Sequence, residues 1–370
     1  MKVERVTLKN FKRFGSLTIE IKNQALDEVA DQFLILGDNG TGKTTVFQAI
    51  ALCLSMAARR TASVESFDWL GWVPGRYRRW GTPQVELTAH FTTDEIEATA
   101  EAARRWWESR SEEVRRGSFV EPGRSTTVNL RLDGEQFRND PAELHQFRGR
   151  SYAASLLRTD PTARDLFPRL PGVFWFDQFR NLATPQEERD GERNSSPEHQ
   201  PTSRISFDVG VARLRGYLNK WKLERIRRGP PGRPRHDYVL ELENVYQRIF
   251  PGHSFSDPEP MFWGGVPSPS DYYFMIHDGS RTYDLEEMSA GEQSVFPILY
   301  EFVRQQIKNS VVLIDEIDLN LHPPLAQTLV SQLPQIGPNC QFIYTTHSEA
   351  VSSVVSPEQI YRLPGGRLCL

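Results

Sequence analysis

The sequence predicts an α/β fold built around a parallel sheet, with an N-terminal antiparallel β subdomain and an inserted helical subdomain. Three observations lead to this prediction. An apolar run at residues 33–36 ends in a glycine-rich loop and precedes helix-forming residues 46–56. A second apolar run, 311–314, ends in two carboxylates. Residues 3–21 alternate apolar and polar side chains, which is typical of half-buried strands.

Composition places the chain among globular proteins with a sizeable core. It has 370 residues, of which 38% are hydrophobic and 25% charged. The formal net charge of −4 argues against whole-surface attraction to nucleic acid and leaves room for a local basic patch. No apolar run approaches the roughly 20 residues of a membrane span, and no signal peptide precedes the first strand. We expect a cytoplasmic protein with no membrane partner.

The cysteines indicate free thiols and no metal cluster. Cys53, Cys340 and Cys369 are widely spaced and lack the paired spacing of metal ligands. A reducing compartment is the simplest interpretation.

The chain divides into three stretches. Residues 1–182 are predicted to form the first part of the core, with a helical insertion at about 94–120. Residues 183–261 combine a polar tract, expected to be a mobile loop, with a helical subdomain. Residues 262–370 form the second part of the core. No internal repeat and no long coiled coil is expected.

Two turns are predicted in the later part of the chain. Gly229-Pro230-Pro231-Gly232 breaks two helical patterns. Asp278-Gly279 lies between alternating runs and is suited to a type I′ hairpin turn.

The glycine-rich segment 37–44 fits the phosphate-loop pattern G-x-x-x-x-G-K-[ST] in the required setting of strand, loop and helix. Its backbone N–H groups are expected to wrap nucleotide phosphates, with Lys43 at the β- and γ-phosphates and Thr44 on Mg²⁺. A chance glycine-rich turn is the alternative. The predicted nucleotide-binding residues here are Asn39, Gly40, Thr41, Gly42, Lys43, Thr44 and Thr45.

The two carboxylates after the second apolar run, Asp315 and Glu316, lie where a phosphate-loop ATPase has its metal-holding and water-polarising acids. We expect Asp315 to support Mg²⁺ and Glu316 to orient or deprotonate the attacking water. The alternative is a buried strand that ends in acidic residues at a loop and has no catalytic role.

A second anion site is predicted 26 residues before Asp315, at the segment MSAGEQ. Ser289 and Glu292 form the S-x-x-E capping box that starts a helix, and Gly291 permits close approach. A well-capped helix without a ligand is the alternative.

The order of these motifs resembles ABC-type ATPases of the RecF, SMC and OLD kind. The matching stretches are VTLKNFKRFGSLTIEI, GDNGTGKTT, MSAGEQ, VVLIDEIDLNLHP and YTTHS. Met288 stands where the family signature has leucine, and the middle of the chain diverges. The resemblance implies an ABC ATPase head, nearest to stand-alone defence ATPases of the Septu PtuA and retron-associated kind.

The resemblance also assigns further residues. His347 becomes the switch histidine that senses the γ-phosphate, and residues 319–322 become the D-loop, with His322 structural. Gln178, after the apolar run 173–176, takes the position of the Q-loop glutamine near Mg²⁺; Gln84 is the fallback, although it begins a strand.

The resemblance implies a head-to-tail dimer with ATP and Mg²⁺ bound at the interface. Ser289 and Gly291 of one subunit close over the nucleotide held by Lys43 of the other, and hydrolysis opens the dimer. The expected job is to gate a separately encoded effector, such as a nuclease or toxin, in antiphage defence. A RecF-like DNA repair ATPase is the alternative. A transporter motor fits less well, because 246 residues separate Lys43 from Ser289.

Direct DNA binding has regional support. Residues 204–235 contain ten basic residues against Asp208 and Glu224. A solvated helix or a partner-docking face is an equal alternative. The basic residues are Arg204, Arg213, Arg215, Lys220, Lys222, Arg225, Arg227, Arg228, Arg233 and Arg235. Trp106-Trp107 is a candidate interaction site, or else packs within its own domain.

Overall fold

The computed structural model describes residues 1–69, 71–115, 118–178, 207–228, 236–261 and 268–364. The chain forms two compact units, Met1–Gln178 with Gln305–Leu370 and Phe179–Arg304. The boundaries predicted from the sequence, after residues 182 and 261, stay predictions. The polar tract expected to be mobile and the Gly-Pro-Pro-Gly break lie outside the described residues.

Strands in chain order are β1 Lys2–Phe11, β2 Phe14–Glu20, β3 Lys22–Asn23, β4 Glu28–Val29, β5 Gln32–Leu36, β6 Gln84–His90, β7 Thr127–Asp133, β8 Gln136–Phe137, β9 Val173–Phe176, β10 Ser254–Phe255, β11 Glu259–Pro260, β12 Tyr272–Tyr273, β13 Met275–His277, β14 Thr282–Asp284, β15 Val311–Ile314, β16 Gln341–Thr346 and β17 Ile360–Arg362. Helices are α1 Lys43–Ala57, α2 Thr93–Glu108, α3 Glu112–Arg115, α4 Pro141–His145, α5 Gly149–Leu156, α6 Phe207–Arg228, α7 Tyr238–Ile249, α8 Ala290–Gln305, α9 Pro323–Ile336 and α10 Glu349–Ser352.

The first unit contains an antiparallel sheet with the strand order β2-β1-β6-β7-β8. Strand β1 turns Val3, Val6, Leu8 and Phe11 into the core, where all four are fully buried. The alternation that predicted half-buried strands therefore reflects one apolar and one polar face. This sheet is the predicted N-terminal β subdomain.

The same unit contains a parallel sheet with the order β17-β5-β16-β15-β9. Strands β5 and β15 are mostly apolar, and β16 is buried along its whole length, because parallel strands are covered on both faces. All five strands point the same way, so their carboxyl ends share one edge. The predicted α/β class is confirmed.

Helix α1 fixes the loop that precedes it. It contacts β1 and β6 of the antiparallel sheet and β9 of the parallel sheet. Twelve of its 15 residues are buried, including Phe47 and Leu54, which explains why it lacks an amphipathic pattern. The segment just before α1 is thereby held rigidly against both sheets.

The predicted helical insertion at about 94–120 consists of α2 and α3, and it begins with a capping box formed by Thr92 and Glu95. It packs with α5 around a separate core that includes Ala102 and Ala153. Trp106 lies against Tyr152, with ring centroids 5.0 Å apart, and Trp107 stacks on Phe119 at 5.2 Å. The tryptophan pair therefore packs within its own domain.

The second unit consists of α6, α7, most of α8 and two small sheets. The predicted two-residue hairpin turn is wrong. Strands β13 and β14 pair His277 with Thr282, which leaves a four-residue loop. The Asp278 carboxylate accepts hydrogen bonds from the N–H groups of Ser280 and Arg281, and the N–H of Asp278 donates to the Arg281 carbonyl, so the turn is centred on Gly279 and Ser280 and not on Asp278 and Gly279.

The basic stretch 204–235 does not form one solvent-facing surface in its described part. Arg215 is buried against Asp284 and Glu286, and Lys222 is buried and donates to the carbonyl of Phe255. Counting charges overestimated the exposed basic face, because long cationic side chains also satisfy buried acceptors.

Two sequence expectations concern membranes and thiols. No helix within the described ranges combines the length and apolar character needed to cross a membrane. Cys53 and Cys340 are buried free thiols, and Cys369 lies outside the described residues.

Candidate functional site

The candidate site lies at the carboxyl edge of the parallel sheet. The phosphate loop follows β5, Asp315 and Glu316 follow β15, His347 follows β16, and Gln178 follows β9. Ligands of open α/β sheets bind outside the carboxyl ends of the strands. One sheet edge thus collects residues that are up to 310 positions apart in sequence.

Lys43 is held at the centre of the loop. Its ammonium donates to the carbonyl of Gly37 at 2.7 Å and lies 3.2 Å from Glu316 Oε1. The side chain is only 4% exposed. Gly42 has φ 107°, and a Cβ there would lie 2.6 Å from both Arg13 and Phe14. The loop therefore requires glycine where the β1–β2 turn packs against it.

Asp315 and Thr44 form the candidate metal site. Thr44 Oγ1 donates to Asp315 Oδ2 at 2.7 Å. These hard oxygen ligands suit Mg²⁺, which proteins usually hold with one or two carboxylates together with substrate phosphates and water. Among the residues that the structure describes, no cluster of three or more His, Cys, Asp or Glu could hold a metal alone. The donor set fits a magnesium ion brought in with a nucleotide.

Asp315 lies in a buried environment that opposes its charge. Burial raises the pKa of its carboxyl above the ordinary value, while hydrogen bonds from Thr345 and Thr44 act in the opposite direction. A bound cation at this position would stabilise the charged carboxylate and so offset the cost of its burial.

Glu316 has an unusual backbone conformation and several polar contacts. Its φ of 48° is in the left-handed region, and its N–H donates to Thr345 Oγ1 at 2.8 Å. Its side chain contacts Lys43 through Oε1 and lies 3.1 Å from His347 Nδ1 through Oε2. Backbone strain of this kind persists where the surroundings fix it, often at functional sites. The carboxylate is aimed between the phosphate-loop lysine and the histidine.

Residues 33–353 match the family described as "AAA domain, putative AbiEii toxin, Type IV TA system". The chain belongs to this family. The membership confirms the prediction of a defence-associated ATPase-type domain.

Individual relatives match over different lengths. A 97-residue stretch is 37% identical to "Retron Vc95 probable ATPase" of Vibrio cholerae serotype O1 biovar El Tor, covering 23% of this chain and 19% of that protein. Over 354 residues the chain is 21% identical to "Septu protein PtuA" of Bacillus mycoides (strain KBAB4), covering 94% of this chain and 38% of that protein. The chain thus spans well under half of each relative.

Among solved structures, the SMC head domain from Thermotoga maritima aligns with a TM-score of 0.45 and 16% identity. The alignment covers 98% of this chain and 94% of that one.

Residues 319–322, predicted to be the D-loop, lie in two turns that follow β15. Asp318 accepts a hydrogen bond from Thr346 Oγ1 at 2.5 Å, and the N–H of Leu321 donates to the Asp318 carbonyl. His322 is the N-cap residue of α9, and its carbonyl accepts from the N–H of Ala326. The structure gives His322 a backbone position at a helix start, as predicted for a structural residue.

The two glutamine candidates lie at different sheets: Gln178 follows a strand of the parallel sheet, and Gln84 belongs to the antiparallel sheet. Gln178 is exposed in the turn that follows β9, next to the strand that carries Asp315. The N–H of Asp315 donates to the carbonyl of Phe176 at 2.9 Å, which brings the two strand ends together. Gln84 begins β6 and pairs with Lys9 in the antiparallel sheet. The sheet edge therefore favours Gln178, and its metal contact stays a prediction.

The signature segment belongs to the second unit and begins α8. Glu292 accepts from the N–H of Ser289 at 2.9 Å, and the N–H of Glu292 donates back to Ser289 Oγ. This is the predicted capping box. Ser289 and Ala290 are exposed and Gly291 is half-buried, so the start of the helix faces outward.

Sequence reasoning missed two contributors. Thr345 joins Asp315 and Glu316 by hydrogen bonds, and Arg13 packs beside the phosphate loop. Both lie inside stretches that carried the family resemblance, YTTHS and NFKRF. The sequence motifs identified these two stretches, whereas only the packing in the structure shows which of their side chains faces the site.

Proposed function

We propose that this AAA-family domain binds ATP with Mg²⁺ at the carboxyl edge of the parallel sheet and hydrolyses it to ADP and phosphate. The observation that carries the proposal is the convergence of Lys43, Thr44, Asp315, Glu316 and His347 at one edge. Phosphoryl transfer needs mainly positioning and charge stabilisation, and this arrangement supplies both.

Each residue has a distinct role in the proposed reaction. The loop N–H groups and Lys43 bind the phosphates, and the shift of Lys43 towards the γ-phosphate frees Glu316 Oε1 for the attacking water. Glu316 accepts the water proton. His347 holds Glu316 Oε2 and reaches the γ-phosphate with its other ring nitrogen. Mg²⁺, held by Thr44 and Asp315, would neutralise charge on the phosphate oxygens.

The second proposed element is a head-to-tail dimer closed by ATP. Support comes from the exposed, well-capped start of α8, which is a suitable site for a phosphate because its first N–H groups have no partner within the helix. Ser289 and Gly291 of one copy close over the γ-phosphate bound by Lys43 of another. Because these contacts need the γ-phosphate, hydrolysis weakens the dimer.

The biological role that we propose is to gate a partner effector, such as a nuclease or toxin, in antiphage defence. The support is the family described as including a toxin of a toxin–antitoxin system, together with relatives named as a retron ATPase and a Septu protein. ATP-dependent opening and closing gives such a partner a two-state signal.

Direct DNA binding, as in a RecF-like repair ATPase, has weaker support. Among the basic side chains of 204–235 that the structure describes, Arg215 and Lys222 are buried, and Arg225 pairs with Asp237. Lys220 and Arg227 are exposed. Duplex DNA binding measured across a salt series, with and without ATP, separates this alternative: phosphate contacts weaken steeply with salt.

The decisive experiment compares Glu316→Gln with Lys43→Ala. We expect Glu316→Gln to bind ATP and to hydrolyse it about a hundredfold more slowly than the native chain. It should accumulate as a dimer, as measured by size-exclusion chromatography with light-scattering detection. Lys43→Ala should bind little ATP and stay a monomer. Native-rate hydrolysis by Glu316→Gln would refute the role given to Glu316, and a monomer that holds ATP without hydrolysing it would refute the dimer.

A further inference from the structure

Glu292, the fourth residue of the capping box, is the centre of a hydrogen-bond network inside the second unit. Oε1 accepts from the hydroxyls of Tyr246, at 2.7 Å, and Tyr283. Oε2 accepts from the N–H and the hydroxyl of Ser289, at 2.9 and 2.7 Å. An ordinary capping box needs only the backbone contacts, so the two phenols are additional.

The phenols come from two different elements. Tyr246 lies on α7, is fully buried and packs its ring against Phe255 and Phe296. Tyr283 lies on β14 and is half-buried. The carboxylate is therefore held from the helical part and from the hairpin part of the unit at once.

The network stabilises the charged form of Glu292. Burial alone raises the pKa of this carboxyl, but the hydrogen bonds from Tyr283, Tyr246 and Ser289 outweigh it and leave the pKa below its ordinary value. His253 Nε2 lies 3.7 Å from Oε1 and is a further titratable neighbour. Glu292 is thus a fixed, ionised acceptor beside the exposed start of α8.

An ionised carboxylate next to a phosphate site presents an electrostatic problem. Its charge repels a phosphate, yet its hydrogen bond to the Ser289 N–H fixes the residue that is to bind that phosphate. Two phenol donors on the inner oxygen draw the charge towards the interior and prevent the side chain from rotating outward. Ser289 can then turn its hydroxyl from Glu292 to an incoming oxygen without moving its backbone.

We propose that Tyr246 and Tyr283 are positioning residues for ATP hydrolysis, which clamp Glu292 so that Ser289 and the start of α8 are preorganised for a γ-phosphate. The inference rests on the proposed function of Ser289. Neither tyrosine touches the nucleotide; both act through Glu292.

The test removes only the hydroxyls. Tyr246→Phe, Tyr283→Phe and the double variant keep both rings, and Tyr217→Phe, an exposed tyrosine of α6, is the matched control. In the full chain we expect kcat for ATP hydrolysis to fall about tenfold in each single variant and further in the double variant, because a hydrogen bond to a charged group is lost. ATP affinity at the Lys43 loop should stay within about twofold of the native value.

A loss of packing would instead lower the midpoint of thermal unfolding and change ATP affinity together with kcat. A melting curve is therefore measured for each variant. If the double variant fails to fold, the kcat of Tyr283→Phe, a change at a half-buried position, tests the clamp. Retained kcat in the tyrosine variants, with turnover lost in Ser289→Ala, would overturn the clamp and leave the proposed function standing. Native turnover by Ser289→Ala would overturn the clamp together with the role given to Ser289 in the dimer, while ATP hydrolysis itself would stand.

Discussion

The hydroxyl of Thr345 donates to Asp315 Oδ1 at 2.6 Å, and the Thr345 hydroxyl oxygen in turn accepts a hydrogen bond from the N–H of Glu316 at 2.8 Å. Thr345 is fully buried on β16, the strand that pairs with β15. One side chain on a neighbouring strand therefore sets the positions of both acids. It also satisfies the N–H of Glu316, whose left-handed backbone is otherwise costly.

Thr345→Val should lower kcat by about tenfold to a hundredfold, because valine keeps the shape but leaves a buried carboxylate oxygen and an N–H without their partner. The Mg²⁺ concentration needed for half-maximal activity should rise, since Asp315 loses its orientation. Steady-state hydrolysis at a series of Mg²⁺ concentrations measures both effects.

Thr345→Ser keeps the hydroxyl and should restore most of the activity. Thr346→Val is the matched neighbour, because its hydroxyl donates to Asp318 and to neither acid. A Thr345→Val enzyme with native Mg²⁺ dependence would show that Thr345 does not position Asp315.

His347→Ala should bind ATP with nearly native affinity and hydrolyse it about a hundredfold more slowly, because the histidine holds Glu316 Oε2 and is not part of the phosphate loop. Equilibrium binding of a fluorescent ATP analogue and single-turnover hydrolysis separate the two quantities. His322→Ala, at the N-cap of α9, is the control and should hydrolyse ATP at close to the native rate. Equal losses in both variants would argue against a specific role for His347.

Arg215→Met should destabilise the second unit by about 3 kcal/mol, because it removes one partner of a buried ion pair and leaves Asp284 without its cation. Arg225→Met removes a more exposed pair with Asp237 and should cost less than about 1 kcal/mol. Thermal unfolding of both variants, monitored by calorimetry, gives the two losses of stability. A similar small effect in both variants would mean that Arg215 is not the anchor of α6.

Because Lys12 is partly buried, the free energy of unfolding should depend on pH. Burial lowers the pKa of its ammonium to about 8 from an ordinary 10.5. The folded state therefore binds the proton less tightly than the unfolded state, and stability rises as the pH increases from about 8 towards 10.5. Lys12→Met should raise the melting temperature by about 3 °C at pH 7, and this gain should shrink above pH 8.

The control for this pH dependence is Lys9→Met, which changes an exposed lysine of β1, the strand just before Lys12, and should leave the pH profile of stability unchanged. Melting temperatures at pH 7, 8.5 and 10 provide the comparison. A gain for Lys12→Met that persists at pH 10 would indicate a packing effect rather than relief of a buried charge.

Local signals in the sequence located most of the site. The phosphate loop, the two acids after β15 and the capping box of α8 each depend on a strand or helix boundary within a few residues, and such boundaries leave a pattern of glycine, acidic and apolar positions. The structure adds that the phosphate loop and the two acids meet at one sheet edge, because β5, β9, β15 and β16 all end there.

The features that the sequence did not predict depend on contacts between distant elements. Thr345 and Thr346 are adjacent and chemically identical, and only the pleat of β16 decides which one faces Asp315. Arg215 was counted with the exposed basic residues because its charge is visible in the sequence and its partner, 69 positions away, is not. The hairpin turn at Asp278 was predicted one residue too early because the side-chain hydrogen bonds of Asp278 are not visible in the sequence.

The order of strands in the parallel sheet also bears on how the protein is made. Strand β5 carries the phosphate loop, yet its two neighbours, β16 and β17, are more than 300 residues further along the chain. During synthesis the partners of this strand, β16 and β17, become available only after residues 341–362 have left the ribosome. A nascent chain that stops before Gln341 should therefore have no nucleotide pocket, and chaperones have a defined interval in which to bind it.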